Sequence, residues 1–539
     1  LWKTTDGGSS WRQISPDLTR KTWTIPPSVG KYSDPSLVQQ RGVIYTIGPS
    51  PLDANTIWIG TDDGVVQRTT DGGAHWADVT PPQIGPWWKL FMIDAGHFDR
   101  QTAYAAVNTL RLDDMRPHFY RTHDGGRTWT DIAQNFIANG GRVTDLASLG
   151  PANAVREDPV KPGLLYAATE KGVWVSFDDG NSWHSLRLNL PASSVRDLIV
   201  KDDDIAVATH GRGFWILDDV TPLRQLVTNS PAPEAALFRP APALRVRWNT
   251  NDDTPLPPDE PMGENPPEGA SIDYYLDHAR SETILLEIVD ARNRVVRRYT
   301  SADSLPWKVP DPSTAPLPWY WYRAPQVLSA AAGLHRFQWD MRYQPIPRPR
   351  SADSDAGLPM TATPYNTAPG PTTPFVAPGT YAVRLSVGGK TYSQPIAVKQ
   401  DPRATASVAA LREVYALTDS MYWTLVKLQQ AGEEARAVRA RMADSVAAGR
   451  VTAILEAPAP PDTSTRGAPP AARATVVGAA TPAPRPAPTT LTGASNALNN
   501  LVNSLQGADV PATDTQRAAI REALRNAEIA LSRWRSFPR

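Results

Sequence analysis

The pattern [Ser/Thr]-x-Asp-x-Gly-x-x-Trp occurs four times in the first 183 residues of this 539-residue chain. Neighbouring copies are 65, 53 and 54 residues apart, measured between their closing tryptophans, Trp11, Trp76, Trp129 and Trp183. A repeat of about 50 residues in a region of short β-strands is typical of a β-propeller, in which each repeat forms one blade. The repeat therefore constrains the fold more than any other feature of the chain.

Each copy, here named the DxG turn, has the residues of a tight hairpin loop. The Ser or Thr hydroxyl and the Asp carboxylate accept hydrogen bonds from nearby backbone amides. The glycine adopts a backbone conformation that strains other residues, and the Trp packs beneath the loop. Because a turn repeated in every blade does not form one active site, we predict a structural role for Asp6, Trp11, Asp71, Trp76, Asp124, Trp129, Asp178 and Trp183.

Short strands divide residues 1–226 into about four and a half blades. Residues 1–15 supply the last two strands of one blade, and the final blade lacks both a DxG turn and an outer strand. That outer strand has to be PLRQL, from Pro222, or a strand from elsewhere. An open set of blades leaves sheet surfaces unpaired. We therefore predict that missing N-terminal blades, from the same protein or from another chain, complete the ring.

The order of the strands in each blade determines on which of the two faces of the propeller each loop lies. If the first strand of each blade begins at an upper face, the DxG turns lie on the opposite face. Propellers usually place binding sites on the face that carries the other loops. There, the candidate acid and base carboxylates are Asp62, Asp63, Asp113 and Asp114. The candidate ligand-binding residues are Trp87, Trp88, Arg111, Arg116, Glu170, His210 and Arg212. A plainer interpretation is that these are hairpin turns, with Arg111 paired to Asp113.

The remaining sequence predicts a connector and two further domains. Residues 227–268 are a Pro-rich connector, and residues 269–402 alternate apolar and polar side chains as in a β-sandwich, with Pro-rich insertions. Residues 403–539 are predicted to be helical. One helix runs to about Ala447, a Pro/Ala/Thr-rich linker covers about 456–490, and two helices follow, near Leu498 and Ile520.

Composition limits the classes of function. Lys and Arg number 55, as do Asp and Glu, so net charge favours neither nucleic acid nor an anionic membrane surface as a partner. The chain has no cysteine, which excludes disulfides, thiolate catalysis and cysteine–zinc sites. We expect no metal, no cofactor and no transmembrane segment. Because the chain starts at Leu1, inside a blade, we expect a C-terminal portion of a longer protein.

A resemblance to a known family rests on four segments. They are TIWIGTDDG from Thr56, AYAAVNTLRLDDMRPHFYRTHDGGRTW from Ala103, REDPVKPGLLYAATEKGVWVSFDDGNSW from Arg156 and VATHGRGFWILDDVTPLRQL from Val207. Together they resemble secreted bacterial sortilin-like proteins and BNR-repeat, or Asp-box, glycosyl-hydrolase-type proteins. The resemblance implies an Asp-box β-propeller and a secreted, periplasmic or cell-surface location. Residues 269–402 resemble the Ig-like domain of flagellar hook-cap proteins.

Three functions are compatible with these features. The first is an extracellular binding or assembly protein that holds a peptide, protein or glycan on the upper face or in the channel. The second is a glycoside hydrolase, in which two upper-face carboxylates act as acid and as base or nucleophile. The third is a structural component of an extracellular assembly.

Overall fold

The computed structural model describes residues 1–21, 42–226, 233–247, 269–304, 311, 313, 326–346, 373–456 and 489–538. They form two compact units, Leu1–Ala232 and Pro233–Arg539. Most of the predicted connector, most of the two Pro-rich insertions and nearly all of the predicted linker lie outside the described residues.

The first unit is a series of antiparallel sheets that follow one another along the chain, as blades do. A two-stranded sheet comes first, formed by β1 (Trp2–Lys3) and β2 (Arg12–Gln13). A four-stranded sheet follows: β3 (Ile44–Pro49), β4 (Ile57–Thr61), β5 (Val66–Thr69) and β6 (Ala77–Asp78). The next sheet has the same order: β7 (Lys89–Ala95), β8 (Ala103–Asn108), β9 (His118–Thr122) and β10 (Thr130–Asp131).

The fourth sheet carries an addition that the sequence did not predict. Its regular part is β13 (Ala152–Glu157), β14 (Leu165–Thr169), β15 (Gly172–Ser176) and β16 (Trp183–Ser185). A small hairpin, β11 (Phe136–Ala138) and β12 (Gly141–Arg142), extends its outer edge, where β11 pairs parallel to β16. The fifth sheet has three strands: β17 (Ser194–Lys201), β18 (Asp204–His210) and β19 (Phe214–Leu217).

The first strands of successive sheets lie side by side. β3 packs on β7, β7 on β13, and β13 on β17, so these four strands form the inner edge of the blades. Buried aromatic rings fill the space between sheets; the rings of Phe119 on β9 and Trp183 on β16, for example, have centroids 5.7 Å apart. The predicted β-propeller blades are therefore confirmed, with two strands of one blade, three complete blades and three strands of the last.

One of the two alternatives for the outer strand of the last blade is wrong. PLRQL does not form the outer strand of the last blade, because Thr221–Gln225 is a short helix, α1. Pro222 stands in the first turn of that helix, where its missing N–H costs nothing, whereas in a sheet it would interrupt the ladder. Arg224 of this helix binds Asp158, whose side chain is fully buried. Within the described residues, the last blade thus has three strands.

The second unit contains two sheets around a shared core. The three-stranded sheet has the order β20 (Ala235–Leu237), β22 (Ala270–Leu276), β25 (Gly333–Trp339). The five-stranded sheet has the order β21 (Ala243–Arg245), β27 (Lys390–Gln400), β26 (Gly379–Val387), β23 (Leu285–Val289), β24 (Val295–Thr300). The core includes Ile272 and Trp339 from one sheet and Leu286 and Val383 from the other. Two of these strands, β20 and β21, lie in the stretch interpreted above as a connector.

Four helices occupy the described part of 403–539: α2 (Val408–Arg441), α3 (Ser445–Leu455), α4 (Leu491–Leu505) and α5 (Asp514–Arg535). The predicted continuous helix to Ala447 is wrong, because the Asp444 carboxylate accepts the N–H of Val446 and starts a separate helix. The helices share a core that includes Leu498, Ile520 and Trp534. In addition, Tyr422 of α2 is buried in the core of the two sheets.

Candidate functional site

The DxG turns make the local hydrogen bonds that their sequence predicts. In the third copy, the carboxylate of Asp124 accepts hydrogen bonds from the N–H and hydroxyl of Thr128 at 2.9 and 2.6 Å, and from the Thr122 hydroxyl at 2.9 Å. These bonds lower the pKa of Asp124 to about 2. A carboxylate held ionised inside its own loop is a structural acceptor.

The same turns also join neighbouring blades, which the sequence did not reveal. In three copies the Trp indole N–H donates to a backbone carbonyl just beyond the outer strand of the preceding blade. The bonds are Trp76 to Ile14 (3.0 Å), Trp129 to Val79 (2.8 Å) and Trp183 to Ile132 (2.8 Å). In the first copy, Trp11 instead donates to the carbonyl of Gly8 in its own loop, and its side chain is 58% exposed.

The predicted upper-face residues separate into several small groups. Arg111 Nη1 lies 3.5 Å from Asp62 Oδ2, and Arg111 Nε donates to the carbonyl of Trp87 at 3.1 Å. The guanidinium carbon lies 5.1 Å from the centroid of the buried Trp87 ring. Arg111 therefore pairs with Asp62, and the expected Arg111–Asp113 pair is wrong. Asp113 instead ends a 3-10 helix, Leu110–Leu112, with φ of 61°.

A second group surrounds Asp114. Arg116 donates from Nε and Nη2 to its two oxygens at 2.9 and 2.8 Å, and His118 Nε2 lies 3.0 Å from Oδ2. The hydrogen bonds from Arg116 hold the pKa of Asp114 well below its usual range. The ring of Trp88 lies against that of His118, with centroids 4.7 Å apart. A carboxyl in this setting stays ionised at neutral pH, which does not suit a general acid.

The other predicted residues lie in separate places. Asp63 is buried, where it accepts the Thr61 hydroxyl at 2.5 Å and the N–H of Arg20 at 2.9 Å. Glu170 pairs with Arg196 at 2.9 Å and accepts from Asn153 at 3.1 Å.

His210 and Arg212 lie at the exposed hairpin between β18 and β19. The backbone N–H of Arg212 donates to the Thr209 hydroxyl at 3.1 Å.

Among the described residues, each of the four predicted upper-face carboxylates except Asp113 has a side-chain ion pair or hydrogen bond.

A surface that the sequence analysis missed lies on the first two of the four inner strands β3, β7, β13 and β17. On and next to β3, Val43, Tyr45 and Ile47 are 54%, 44% and 54% exposed. The Tyr45 ring lies 5.4 Å from that of Phe91, and Lys89 Nζ is 3.4 Å from the Tyr45 centroid. Alternate residues of an innermost strand are thus apolar and exposed to solvent. We name these five side chains the inner-strand surface.

At the C-terminal ends of the same four strands lies a cavity of about 340 Å3. Its walls are mainly apolar, and its polar side chains are two carboxylates, an arginine and a histidine. The lining residues include Ile47, Pro49, Asp94, His97, Arg156, Glu157, Pro159 and Ile199. Since Ile47 belongs to both features, the cavity continues the inner-strand surface.

Arg156 connects three of the strands that form the cavity. Its Nη1 lies 2.9 Å from Asp94 Oδ1 on β7, and its Nη2 lies 3.5 Å from Asp197 Oδ1 on β17. Its Nε donates to the carbonyl of Leu198 at 3.1 Å. All three nitrogens are therefore occupied within the blades. Arg156 thus holds the Asp94 carboxylate in position.

Glu157 is the second carboxyl group that lines the cavity. It is buried, and its Oε2 accepts the backbone N–H of His97 at 2.7 Å. The Tyr104 hydroxyl is 3.5 Å from Oε1, but it donates a shorter bond, of 2.7 Å, to Asp179. Burial raises the pKa of Glu157. A buried carboxyl that lines a cavity and has a raised pKa is a common property of functional sites.

A sequence signal for this cavity existed but is weak. Asp94 and Glu157 interrupt the apolar runs FMIDAG and AVREDP, which form buried inner strands. A carboxylate in such a run needs a partner or a function, because burying it alone is costly. Which carboxylates meet at one place depends on how the blades pack. Among the described residues, no group of three or more His, Cys, Asp or Glu residues is arranged to hold a metal ion.

Comparisons with known proteins give partial similarities. No protein-family model matches the chain. A stretch of 117 residues, 21% of this chain, is 30% identical to vacuolar protein sorting/targeting protein 10 of Pyricularia oryzae and spans 7% of that protein's length. In the part of the chain that the structure describes, no helix is both long enough and apolar enough to cross a membrane.

Among solved structures, a GH74 enzyme of Niastella koreensis is 15% identical, with a TM-score of 0.27. That alignment covers 75% of this chain and 55% of the other. YCF48 of Cyanidioschyzon merolae is 18% identical, with a TM-score of 0.24, over 33% of this chain and 54% of the other. The chain thus spans about half the length of both structures. Because both TM-scores are below 0.5, the assignment of the propeller fold rests on the sheets described above.

Proposed function

We propose that this chain is the binding part of an extracellular sortilin-like propeller protein, and that it holds an extended peptide or protein segment along its inner strands. The observation that carries the proposal is the inner-strand surface. Apolar and aromatic side chains there are exposed in a row and lead into the cavity. Exposed apolar side chains that form a contiguous patch, unlike scattered ones, indicate a binding surface.

A peptide is a better fit than a sugar for two reasons. An innermost strand has one edge without a neighbouring strand in its sheet, so its backbone can pair with an extended segment. The spacing of alternate exposed residues on β3 also matches the period of side chains along such a segment. The similarity to a protein named for vacuolar protein sorting supports a protein ligand as well.

The hydrolase alternative has less support from the geometry. A glycosidase acid has to be protonated at working pH, so its pKa has to be raised. Asp114 has the opposite shift, and Asp62 and Asp63 are tied to Arg111 and to the turn around Thr61. These contacts favour structural roles for the upper-face carboxylates.

We also propose that additional blades complete the ring, from the same protein or from another chain. The support comes from the first DxG turn. Its Trp11 is exposed, although the equivalent Trp76, Trp129 and Trp183 each bind a neighbouring blade. A blade placed beside β1 and β2 would cover Trp11 in the same way. By extension from the resemblance, the protein acts in the periplasm, at the cell surface or outside the cell.

The test is to probe labelled protein on a random-peptide array and on a glycan array in parallel. We expect binding to a subset of peptides and no release of sugar. The variant Val43→Asp places a charge on the exposed inner-strand surface, at a residue that does not line the cavity, and should abolish the peptide signal without loss of thermal stability. A matched control, Ile529→Asp, changes an Ile that is 44% exposed on α5 and should bind as the parent does. Sugar release that an Asp113→Asn/Asp114→Asn variant loses would instead establish the hydrolase.

A further inference from the structure

The polar side chains that line the cavity are two carboxylates, Asp94 and Glu157, the guanidinium of Arg156 and the imidazole of His97. Asp94 and Glu157 contribute carboxylate oxygens, and each nitrogen of Arg156 already has a partner in the blades, Asp94, Asp197 or Leu198. The lining prolines have no N–H to donate. A ligand group that supplies donors therefore suits the two carboxylates better than one that only accepts hydrogen bonds.

The charged groups around the cavity also favour a cationic ligand group. Three carboxylates, those of Asp94, Glu157 and Asp197, are close to one arginine, Arg156. His97 Nε2 is 4.0 Å from Asp94 Oδ2 and adds charge only when protonated. Below Glu157, Asp179 is matched by Arg121 at 2.9 Å, so that pair cancels. With His97 neutral, the groups around the cavity carry a net negative charge.

The size and the walls define the shape of the ligand group. A volume of about 340 Å3 is at the lower end of the range for ligand sites, and it suits one side chain better than a folded surface. Ile47, Pro49, Pro159 and Ile199 supply apolar side chains to the lining beside the acidic residues. Long basic side chains have this composition, with an apolar stem and a charged end that donates hydrogen bonds.

We propose that the cavity binds a lysine or arginine side chain of the peptide, with its cationic end at Asp94 and Glu157. This inference rests on the proposed peptide-binding function and specifies its ligand. The apolar stem packs between Ile47 and Ile199, while the flanking residues of the peptide lie along the inner-strand surface. Arg156 acts as a positioning residue, because it fixes the Asp94 carboxylate.

The experiment uses the whole chain and four pools of acetylated, amidated pentapeptides at pH 7.5. The central residue is Lys, Arg, norleucine or Glu, and the four flanking positions are equimolar mixtures. Competition against a labelled pool gives the relative affinities. Because an ion pair in a partly buried site adds to apolar contact, we expect the Lys and Arg pools to bind at least about tenfold more tightly than norleucine. The Glu pool should bind most weakly.

Two variants place the preference in this cavity. Glu157→Gln keeps an acceptor for the N–H of His97 but removes the charge, and Ile199→Lys adds a competing cation at a side chain that is 46% exposed. Both should reduce the preference for Lys over norleucine to less than about threefold. Asp202→Asn removes an exposed carboxylate outside the cavity and should leave it unchanged. Thermal unfolding of each variant checks that the blades remain folded.

The outcomes separate the two proposals. Peptide binding with equal affinity for Lys and norleucine, or with a preference for Glu, overturns the cavity assignment and leaves peptide binding intact. The same holds if Glu157→Gln and Ile199→Lys, both folded, keep the full preference. Failure of all four pools to bind overturns both the cavity assignment and the proposed function.

Discussion

The contact between a DxG turn and the preceding blade can be measured by changing one glycine to alanine in two copies of the turn. Gly126, in the third copy, has φ of 87°, and a Cβ added there would lie 2.6 Å from Val79 Cβ of the preceding blade. Gly8 is the equivalent residue of the first copy. Its φ is 99°, and the same addition meets only Trp11 of its own loop, at 3.9 Å.

Both variants lose stability through backbone strain, but only Gly126→Ala also adds a close contact with the preceding blade. A non-glycine residue with positive φ costs about 1 kcal/mol at each site. At Gly126 the added methyl also displaces Val79 or separates the blades, and overpacking of this kind costs about 1–3 kcal/mol. We therefore expect Gly126→Ala to lower the free energy of unfolding by about 3 kcal/mol and Gly8→Ala by about 1 kcal/mol. The difference of about 2 kcal/mol measures the contact between the blades.

The assay is urea unfolding at 25 °C, followed by tryptophan fluorescence and by circular dichroism. The two probes have to coincide within each transition for the free energies to be compared. Equal losses in the two variants, within about 0.5 kcal/mol, would refute the reasoning. Such a result would mean that backbone strain alone decides the cost and that the close contact at Val79 is relieved without penalty.

Two further changes test electrostatic contacts. The pKa of Asp114 is lowered in the folded state by Arg116, so its stabilisation is present above the ordinary Asp pKa and is lost as pH falls through the folded value. Asp114→Asn should therefore cost less than about 1 kcal/mol at pH 7, since Arg116 is 59% exposed, and its difference from the parent in urea unfolding should shrink toward pH 2. Arg224→Ala leaves the fully buried Asp158 without its cationic partner and should cost about 3–5 kcal/mol. Lys201→Ala, which breaks an exposed pair with Asp202, should cost less than about 0.5 kcal/mol in the same assay; a similar loss for both would contradict the role of burial.

The sequence by itself determined the repeated turns and the blades. Each DxG turn is stabilised by contacts within eight residues, such as the Thr122 hydroxyl and the Thr128 N–H on Asp124. Contacts this short depend on residue type and spacing, so the pattern is sufficient to identify them. The strands follow for a similar reason, because alternation of side chains is a local property.

Only the tertiary structure decided which of these local elements meet. Arg111 pairs with Asp62 because a loop of one blade reaches the next, although Asp113 is nearer in sequence. PLRQL lies in a helix, and Arg224 of that helix binds the buried Asp158, 66 residues earlier. The sequence alone does not identify either carboxylate as the partner of its arginine, because many other carboxylates lie at similar separations along the chain.

The cavity is the clearest case of a feature that depends on which elements meet in the folded chain. Asp94 and Arg156 are 62 residues apart, and Ile47 and Ile199 come from the first and last of its four strands. Hydrophobic burial packs the sheets side by side, and that packing alone brings the ends of the inner strands to one place. A local pattern predicts what each strand is, whereas the site depends on long-range contacts between blades that no local pattern encodes.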